Sequence, residues 1–122
     1  MKPYVIWKVN EDKEFKCKLT SAAVAEIESR YKCNLLQFVD GTPSLTIMLD
    51  VTHKAMKKFN HGIKEKDMYD LFDEYVDNGG SQVTFMTEVF IPIYKVSGFF
   101  PKTVVENMDE KLSEATEKMN EM

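Results

Sequence analysis

The segment of residues 83–96 constrains the fold of this chain more than any other. Its only charged residues are Glu88 and Lys95, so apolar side chains would point all the way round a helix formed from it. Such a helix must be enclosed by its own fold or covered by a partner. Pro92 lies within the segment, and an interior proline removes a backbone hydrogen bond at a cost of ~3 kcal/mol. We therefore expect a kink or break near residues 88–91.

A second helix is predicted directly before this one, because apolar residues recur there at helical spacing. They are Met68, Leu71, Phe72, Tyr75 and Val76. Acidic residues cover its other faces: Asp67, Asp70, Asp73, Glu74 and Asp77. This spacing is that of a helical face and differs from a calcium-binding loop. Gly79 and Gly80 are expected to end the helix, and Ser81 to cap the next one.

Residues 3–19 predict a β-hairpin with a polar link at residues 10–14. Apolar residues alternate in both strands and would share one face: Val5, Trp7, Val9, Phe15, Cys17 and Leu19. A two-stranded hairpin is marginally stable alone in water. It must therefore lie on the helices or pair with a neighbouring subunit.

Residues 20–100 are predicted to be helical, which gives a mainly α fold of about five helices with an N-terminal β-hairpin. Thr20 or Ser21 would cap the first helix, and a short helical turn would start at Asn34. Thr42-Pro43 indicates the start of the next helix, which would run to about Phe59. The expected buried residues are Ala23, Val24, Ile27 and Tyr31 in the first, and Leu45, Met48, Leu49, Met56 and Phe59 in the later one.

Lysines and carboxylates form two consecutive blocks along the chain. The basic block consists of Lys54, Lys57, Lys58, Lys64 and Lys66, and the acidic block spans residues 67–77. Lys54, Lys57 and Lys58 would lie on the outer side of their helix. The two blocks are either ordinary solvated faces or faces that meet within one subunit or between copies. Lys64 is also an unfavourable cap for the helix that follows it.

Beyond Pro101, apolar residues are spaced three and four apart: Val105, Met108, Leu112, Ala115, Met119 and Met122. Residues 103–122 are therefore predicted to form a C-terminal amphipathic helix or tail, separate from a domain of residues 1–102. The pattern fits the seam of a coiled coil or a docking helix. It fits equally a helix that folds back on its own domain or frays.

Composition narrows the class of protein. A chain of 122 residues has the length of a single domain. Its net charge of −4 argues against nucleic acid as the main partner. No segment has the ~20 apolar residues needed to cross a bilayer, and none resembles a secretory signal. Cys17 and Cys33 are expected to be reduced thiols. No enzyme motif is present, and His53 and His61 are expected to face solvent and to bind no metal. No cofactor is predicted.

Four phrases of the sequence occur in the order typical of one protein family. They are Lys-Phe-Asn-His-Gly at 58–62, Tyr-Asp-Leu-Phe-Asp at 69–73, Asp-Asn-Gly-Gly-Ser at 77–81 and Ser-Gly-Phe-Phe at 97–100. The chain resembles, over roughly residues 15–100, the tail assembly chaperones of long-tailed phages and prophages of Gram-positive bacteria. Family members tend to have Thr or Ser where this chain has Lys64.

The resemblance implies a non-catalytic chaperone that binds the tape measure protein and keeps it soluble while tail tube subunits polymerise around it. It would act in the bacterial host cytoplasm as a homo-oligomer, with the tail tube protein as a further partner, and be absent from the mature virion. One alternative is a structural tail completion or connector protein, and another is a host regulator that binds a partner helix. Seven residues are predicted partner-binding residues. Part of this set is expected to face a client or another subunit, and the rest of the set is expected in the core: Phe85, Val89, Phe90, Ile91, Tyr94, Phe99 and Phe100.

Overall fold

The computed structural model describes residues 3–101, which form an antiparallel β-hairpin followed by five helices. The hairpin consists of β1 (Val5–Lys8) and β2 (Glu14–Cys17). The first four helices are α1 (Ser21–Tyr31), α2 (Gln37–Asp40), α3 (Leu45–Met56) and α4 (Glu65–Asp77). The fifth runs through α5 (Gln82–Phe85), a π-helical segment (Met86–Phe90) and α6 (Ile91–Val96). The predicted fold class is confirmed, whereas the predicted C-terminal helix lies outside the described residues.

The hairpin lies on the helices, which is one of the two placements that its marginal stability allows. Val5 pairs with Cys17 and Trp7 with Phe15. Trp7 and Cys17 are fully buried, and Phe15 is partly buried against the same core. The Lys18 backbone N–H donates to the Ala55 carbonyl at 3.0 Å, which ties the second strand to α3.

The first and third helices begin with side-chain caps. The Thr20 hydroxyl accepts a hydrogen bond from the Ala23 N–H at 3.1 Å, which confirms one of the two predicted caps. The start predicted at Thr42-Pro43 is wrong, because Ser44 caps α3 and its hydroxyl accepts from the Ile47 N–H.

Helix α3 is the central helix, since every residue of 48–56 is buried. It ends at Met56, so Phe59 lies in the following turn and is 37% exposed rather than buried as predicted. Lys54 and His53, both expected to face solvent, are buried because α1 and the loop before α4 cover those sides of α3. Polar side chains therefore do not mark the outer face of this helix.

The glycine pair ends α4 as predicted. The Gly79 N–H donates to the Val76 carbonyl and the Gly80 N–H to the Tyr75 carbonyl, the pattern of a Schellman motif. Gly79 has a φ of 102°, a conformation that favours glycine. Ser81 caps the next helix, its hydroxyl accepting from the Thr84 N–H at 3.1 Å, which confirms that prediction.

Where a kink or break was predicted near residues 88–91, the structure has a π-helical segment that directly precedes α6, and the chain does not break there. The Ile91 N–H donates to the Met86 carbonyl, five residues back, and Pro92 lies in the first turn of α6. A π turn is one of the ways in which a helix accommodates a local disruption of its hydrogen bonding. The segment therefore keeps the chain helical past the proline.

Candidate partner-binding surfaces

Four of the seven residues predicted to contact partners belong to the hydrophobic core. Phe85, Phe90 and Tyr94 have no exposed surface, and Val89 is 3% exposed. Their predicted role as contact residues is wrong, because the hairpin and the neighbouring helices enclose this part of the last helix.

Aromatic packing shows how the enclosure is achieved. The Phe85 ring lies 5.1 Å from the Trp7 ring and 5.5 Å from the Phe72 ring, centroid to centroid. Farther along, the Tyr94 hydroxyl donates to the Leu35 carbonyl at 2.9 Å, and burial raises the pKa of Tyr94. Edge-on ring pairs of this kind add to the stability that area burial supplies. These apolar side chains of the last helix are thus covered by residues of the same chain.

The other three predicted residues, Ile91, Phe99 and Phe100, are partly buried at the edge of the core. Phe99 packs its ring 4.9 Å from that of Tyr94 after Gly98, whose φ is 83°. Phe99 also lines a shallow groove with Leu19 and Val24. Their contact with a partner stays a prediction.

A more apolar groove lies between the hairpin and α4, and we call it the α4 groove. It has a volume of about 410 Å³. Three partly buried apolar side chains form its floor, and four charged side chains form its rim. The floor consists of Phe15, Ile63 and Leu71, and the rim of Lys13, Asp67, Asp70 and Glu74.

Three polar contacts hold the α4 groove in shape. Lys13 spans one end by donating to both carboxylate oxygens of Glu74 at 3.2 and 3.1 Å. The Asp67 carboxylate accepts from the Lys64 N–H at 2.9 Å. The His53 Nε2–H donates to the Ile63 carbonyl at 2.7 Å, so a buried histidine fixes the loop that carries one floor residue.

Sequence reasoning missed the α4 groove, although it placed several of its residues correctly on strand and helix. Phe15 and Leu71 were expected to face the core, and they do so while leaving one side open. Ile63 was not singled out, because it lies between two helices and belongs to no periodic pattern. The usable signal was the acidic pair Asp67 and Asp70 beside Leu71 on one helical edge.

A polar network joins α1, α3 and α4 beside a cleft of about 270 Å³. The Tyr31 hydroxyl donates to Asp50 at 2.7 Å, and Arg30 pairs with both Asp50 and Glu65. Burial, with the Asp50 hydrogen bond, raises the pKa of Tyr31 to about 12. The hydrogen bond from Arg30 lowers the pKa of Glu65. Each charged side chain of the network has a partner, so we interpret the network as a structural link between the three helices.

The basic block of the sequence does not form one face. Lys54 is 8% exposed and pairs with Glu26 at 3.3 Å, whereas Lys57, Lys58, Lys64 and Lys66 are exposed. Within residues 3–101, no three His, Cys, Asp or Glu side chains are grouped to hold a metal ion. In the same range, no helix has the length and apolar character to span a membrane.

No protein-family model, curated protein or solved structure matches this chain.

Proposed function

We propose that this protein is a non-catalytic tail assembly chaperone of a long-tailed phage or prophage. It would bind the tape measure protein in the bacterial host cytoplasm and be absent from the mature virion. The four sequence phrases, in register over residues 58–100, support this proposal. Two of them include the turns that end α4 and the last helix, where Gly79 and Gly98 have positive φ.

The observation that carries the proposal is the α4 groove, an open apolar depression rimmed by charged side chains. Phe15, Ile63 and Leu71 offer an apolar floor to the stripe of an amphipathic client helix. Asp67 and Asp70 on the rim favour a client whose stripe is flanked by lysine or arginine. This site replaces the buried part of the last helix as the proposed client surface.

A chaperone of this kind can bind weakly at each copy and still protect its client. The tape measure protein is a long helical chain with many apolar turns, so many copies can bind along it. Covering those turns with an acidic domain hides apolar surface and adds charge, which opposes aggregation. The groove therefore needs only a short segment of client at a time.

The test is co-expression of the full chain, affinity-tagged, with the tape measure protein encoded in the same tail gene cluster. We expect the wild-type protein to keep the client in the supernatant and to co-purify with it. Leu71→Gln and Asp70→Lys should each reduce the recovered client, because they alter the floor and the rim. Asp40→Lys reverses an exposed carboxylate on α2 and serves as the matched control.

The outcomes separate the function from the site. Failure of the wild-type protein to retain the client would overturn the chaperone proposal. Retention by both groove variants at the wild-type level, with circular dichroism showing all variants folded, would overturn only the groove assignment. Mass spectrometry of purified virions addresses the structural alternative, since a tail completion or connector protein would be present in them and a chaperone absent.

A further inference from the structure

Of the five large apolar side chains that are exposed in residues 3–101, four form two groups, one beside lysines and one beside aspartates, and the fifth is Val83. Ile6 and Phe59, each 37% exposed, lie among lysines. Tyr69 and Val76, which are 47% and 43% exposed, lie among aspartates on α4. Exposed apolar groups in such surroundings are typical of surfaces that bind other proteins.

The first cluster, which we call the hairpin patch, consists of Tyr4, Ile6, Lys16, Lys58 and Phe59. Ile6 and Lys16 are paired across the two strands on their outer face. The Tyr4 ring packs edge-on against the Phe59 ring at 5.9 Å. Lys16 Nζ lies 4.9 Å from the centre of the Tyr4 ring, and Lys58 Nζ lies 5.8 Å from that of Phe59. The patch is therefore aromatic and basic.

The charged residues next to the hairpin patch do not reverse its positive charge. Lys8 pairs across the strands with Glu14, so that neighbouring pair is neutral overall. Lys57 is exposed beside Lys58 and adds a further positive charge. The patch carries no carboxylate of its own.

The second cluster, which we call the α4 stripe, consists of Tyr69, Asp73, Val76 and Asp77. Tyr69, Asp73 and Val76 recur at intervals of four and three residues, so they share one face of α4. The stripe shares no residue with the edge of α4 that borders the α4 groove, which it adjoins and which bears Asp67, Asp70, Leu71 and Glu74. Lys66 lies one turn before Tyr69 and is the cation nearest to the stripe in the sequence of α4.

We propose that the hairpin patch of one copy docks on the α4 stripe of a second copy. The occupant follows from charge complementarity, because lysines flank the apolar groups on one surface and aspartates flank them on the other. Neither surface can pair with itself, since its like charges would be brought together. The contact is thus head-to-tail, and a pair of copies keeps one free surface of each kind through which further copies can add. The inference stands on the surface alone and does not depend on the identity of any client.

The test uses analytical ultracentrifugation of the full chain over a range of protein and salt concentrations. We expect concentration-dependent association that weakens as salt is raised. Two charge-reversed variants, Lys16→Glu/Lys58→Glu and Asp73→Lys/Asp77→Lys, should each self-associate at least about tenfold more weakly, because both place like charges opposite one another. All four positions are exposed, so folding should be retained, as circular dichroism can show.

Mixing the two variants is the decisive measurement. A Lys16→Glu/Lys58→Glu copy offers an acidic hairpin patch, and an Asp73→Lys/Asp77→Lys copy offers a basic stripe, so the mixture should associate again. The control pair, Asp40→Lys mixed with wild type, should behave as wild type alone. The proposal is overturned if the full chain is monomeric at every concentration, or if either variant associates as wild type does. It is also overturned if the mixture of the two variants shows no recovery.

Discussion

Cys17 and Cys33 occupy different environments, and their reactivity should differ accordingly. Cys17 is fully buried, and burial raises the pKa of its thiol to about 12, whereas Cys33 is partly exposed. Only the thiolate reacts with alkylating agents. At pH 8 we expect iodoacetamide to modify Cys33 in the folded protein and Cys17 only in denaturant, as peptide mass spectrometry can measure. Equal rates for the two thiols in the native protein would contradict this placement.

Gly80 has a packing role that differs from the conformational role of Gly79. A Cβ at position 80 would overlap the Tyr75 ring, which packs against Trp7 and Phe85. We expect Gly80→Ala to lower the free energy of unfolding by about 1–3 kcal/mol, as overpacking of a filled core does. Urea titration followed by circular dichroism measures the change.

Gly41→Ala is the matched control for this substitution. The new Cβ would meet nothing within 4 Å there, and the φ of Gly41 is −112°. Its free energy of unfolding should stay within about 0.5 kcal/mol of the wild-type value. A similar loss in both variants would show that Tyr75 is not the cause.

Most helix ends predicted from local signals are correct; one exception is Thr42-Pro43, since Ser44 caps α3. Thr20, Ser81 and the glycine pair were identified correctly, because caps and left-handed turns depend on a few neighbouring atoms. His53 and Lys54 were placed wrongly, because their burial depends on distant segments. The loop at Ile63 covers His53, and α1 covers Lys54.

The N-terminal end of α4 is the helix end that the sequence predicts to be poorly capped. Lysine has no hydrogen-bond acceptor, so Lys64 leaves the first turn without a side-chain cap, and only the Asp67 carboxylate contributes, through the Lys64 N–H. We expect Lys64→Ser to raise the free energy of unfolding by about 0.5–1 kcal/mol. Lys66→Ser removes the same charge inside the helix and should give no such gain. Thermal and urea unfolding of the three proteins would show whether the cap or the charge matters.

The last helix shows why the candidate site could not be predicted in full. Its composition correctly indicated that it must be covered, and Pro92 correctly indicated an irregularity. Composition does not say how much area the hairpin can cover. Trp7, which packs against both Phe15 and Phe85, extends that cover over the last helix. The surface left open is instead the α4 groove, which is formed by residues far apart in sequence.

At the scale of the whole molecule, one core joins the hairpin to α3, α4 and the last helix. Periodicity in single segments predicted which elements exist, because each buries one face. The order of elements around α3 depends on how their faces fit together, and it cannot be predicted from the sequence of any single segment. This is also why the acidic residues of α4 divide between two surfaces, the α4 groove and the α4 stripe.

Two weakly acidic side chains, the buried Cys17 and the partly buried Tyr31, predict a loss of stability in alkali. The pKa of Cys17 rises from 9.0 to about 12, through burial, and that of Tyr31 rises from 10.0 to about 12, through burial and its hydrogen bond to Asp50. Between pH 9 and 12 the unfolded chain therefore loses protons that the folded chain retains. The free energy of unfolding must fall as pH rises through this window, by at most ~1.4 kcal/mol per pH unit for each group.

We expect the melting temperature, measured in reductant, to be level near pH 8 and to fall steadily above pH 9. Cys17→Ala leaves a small cavity and should melt lower at pH 8, but its decline above pH 9 should be shallower because one titrating group is gone. Tyr31→Phe should likewise reduce the decline above pH 10. Cys33→Ala, which removes a partly exposed thiol, should keep the wild-type slope. Parallel declines for Cys17→Ala and wild type would show that ionisation of the Cys17 thiol does not oppose folding.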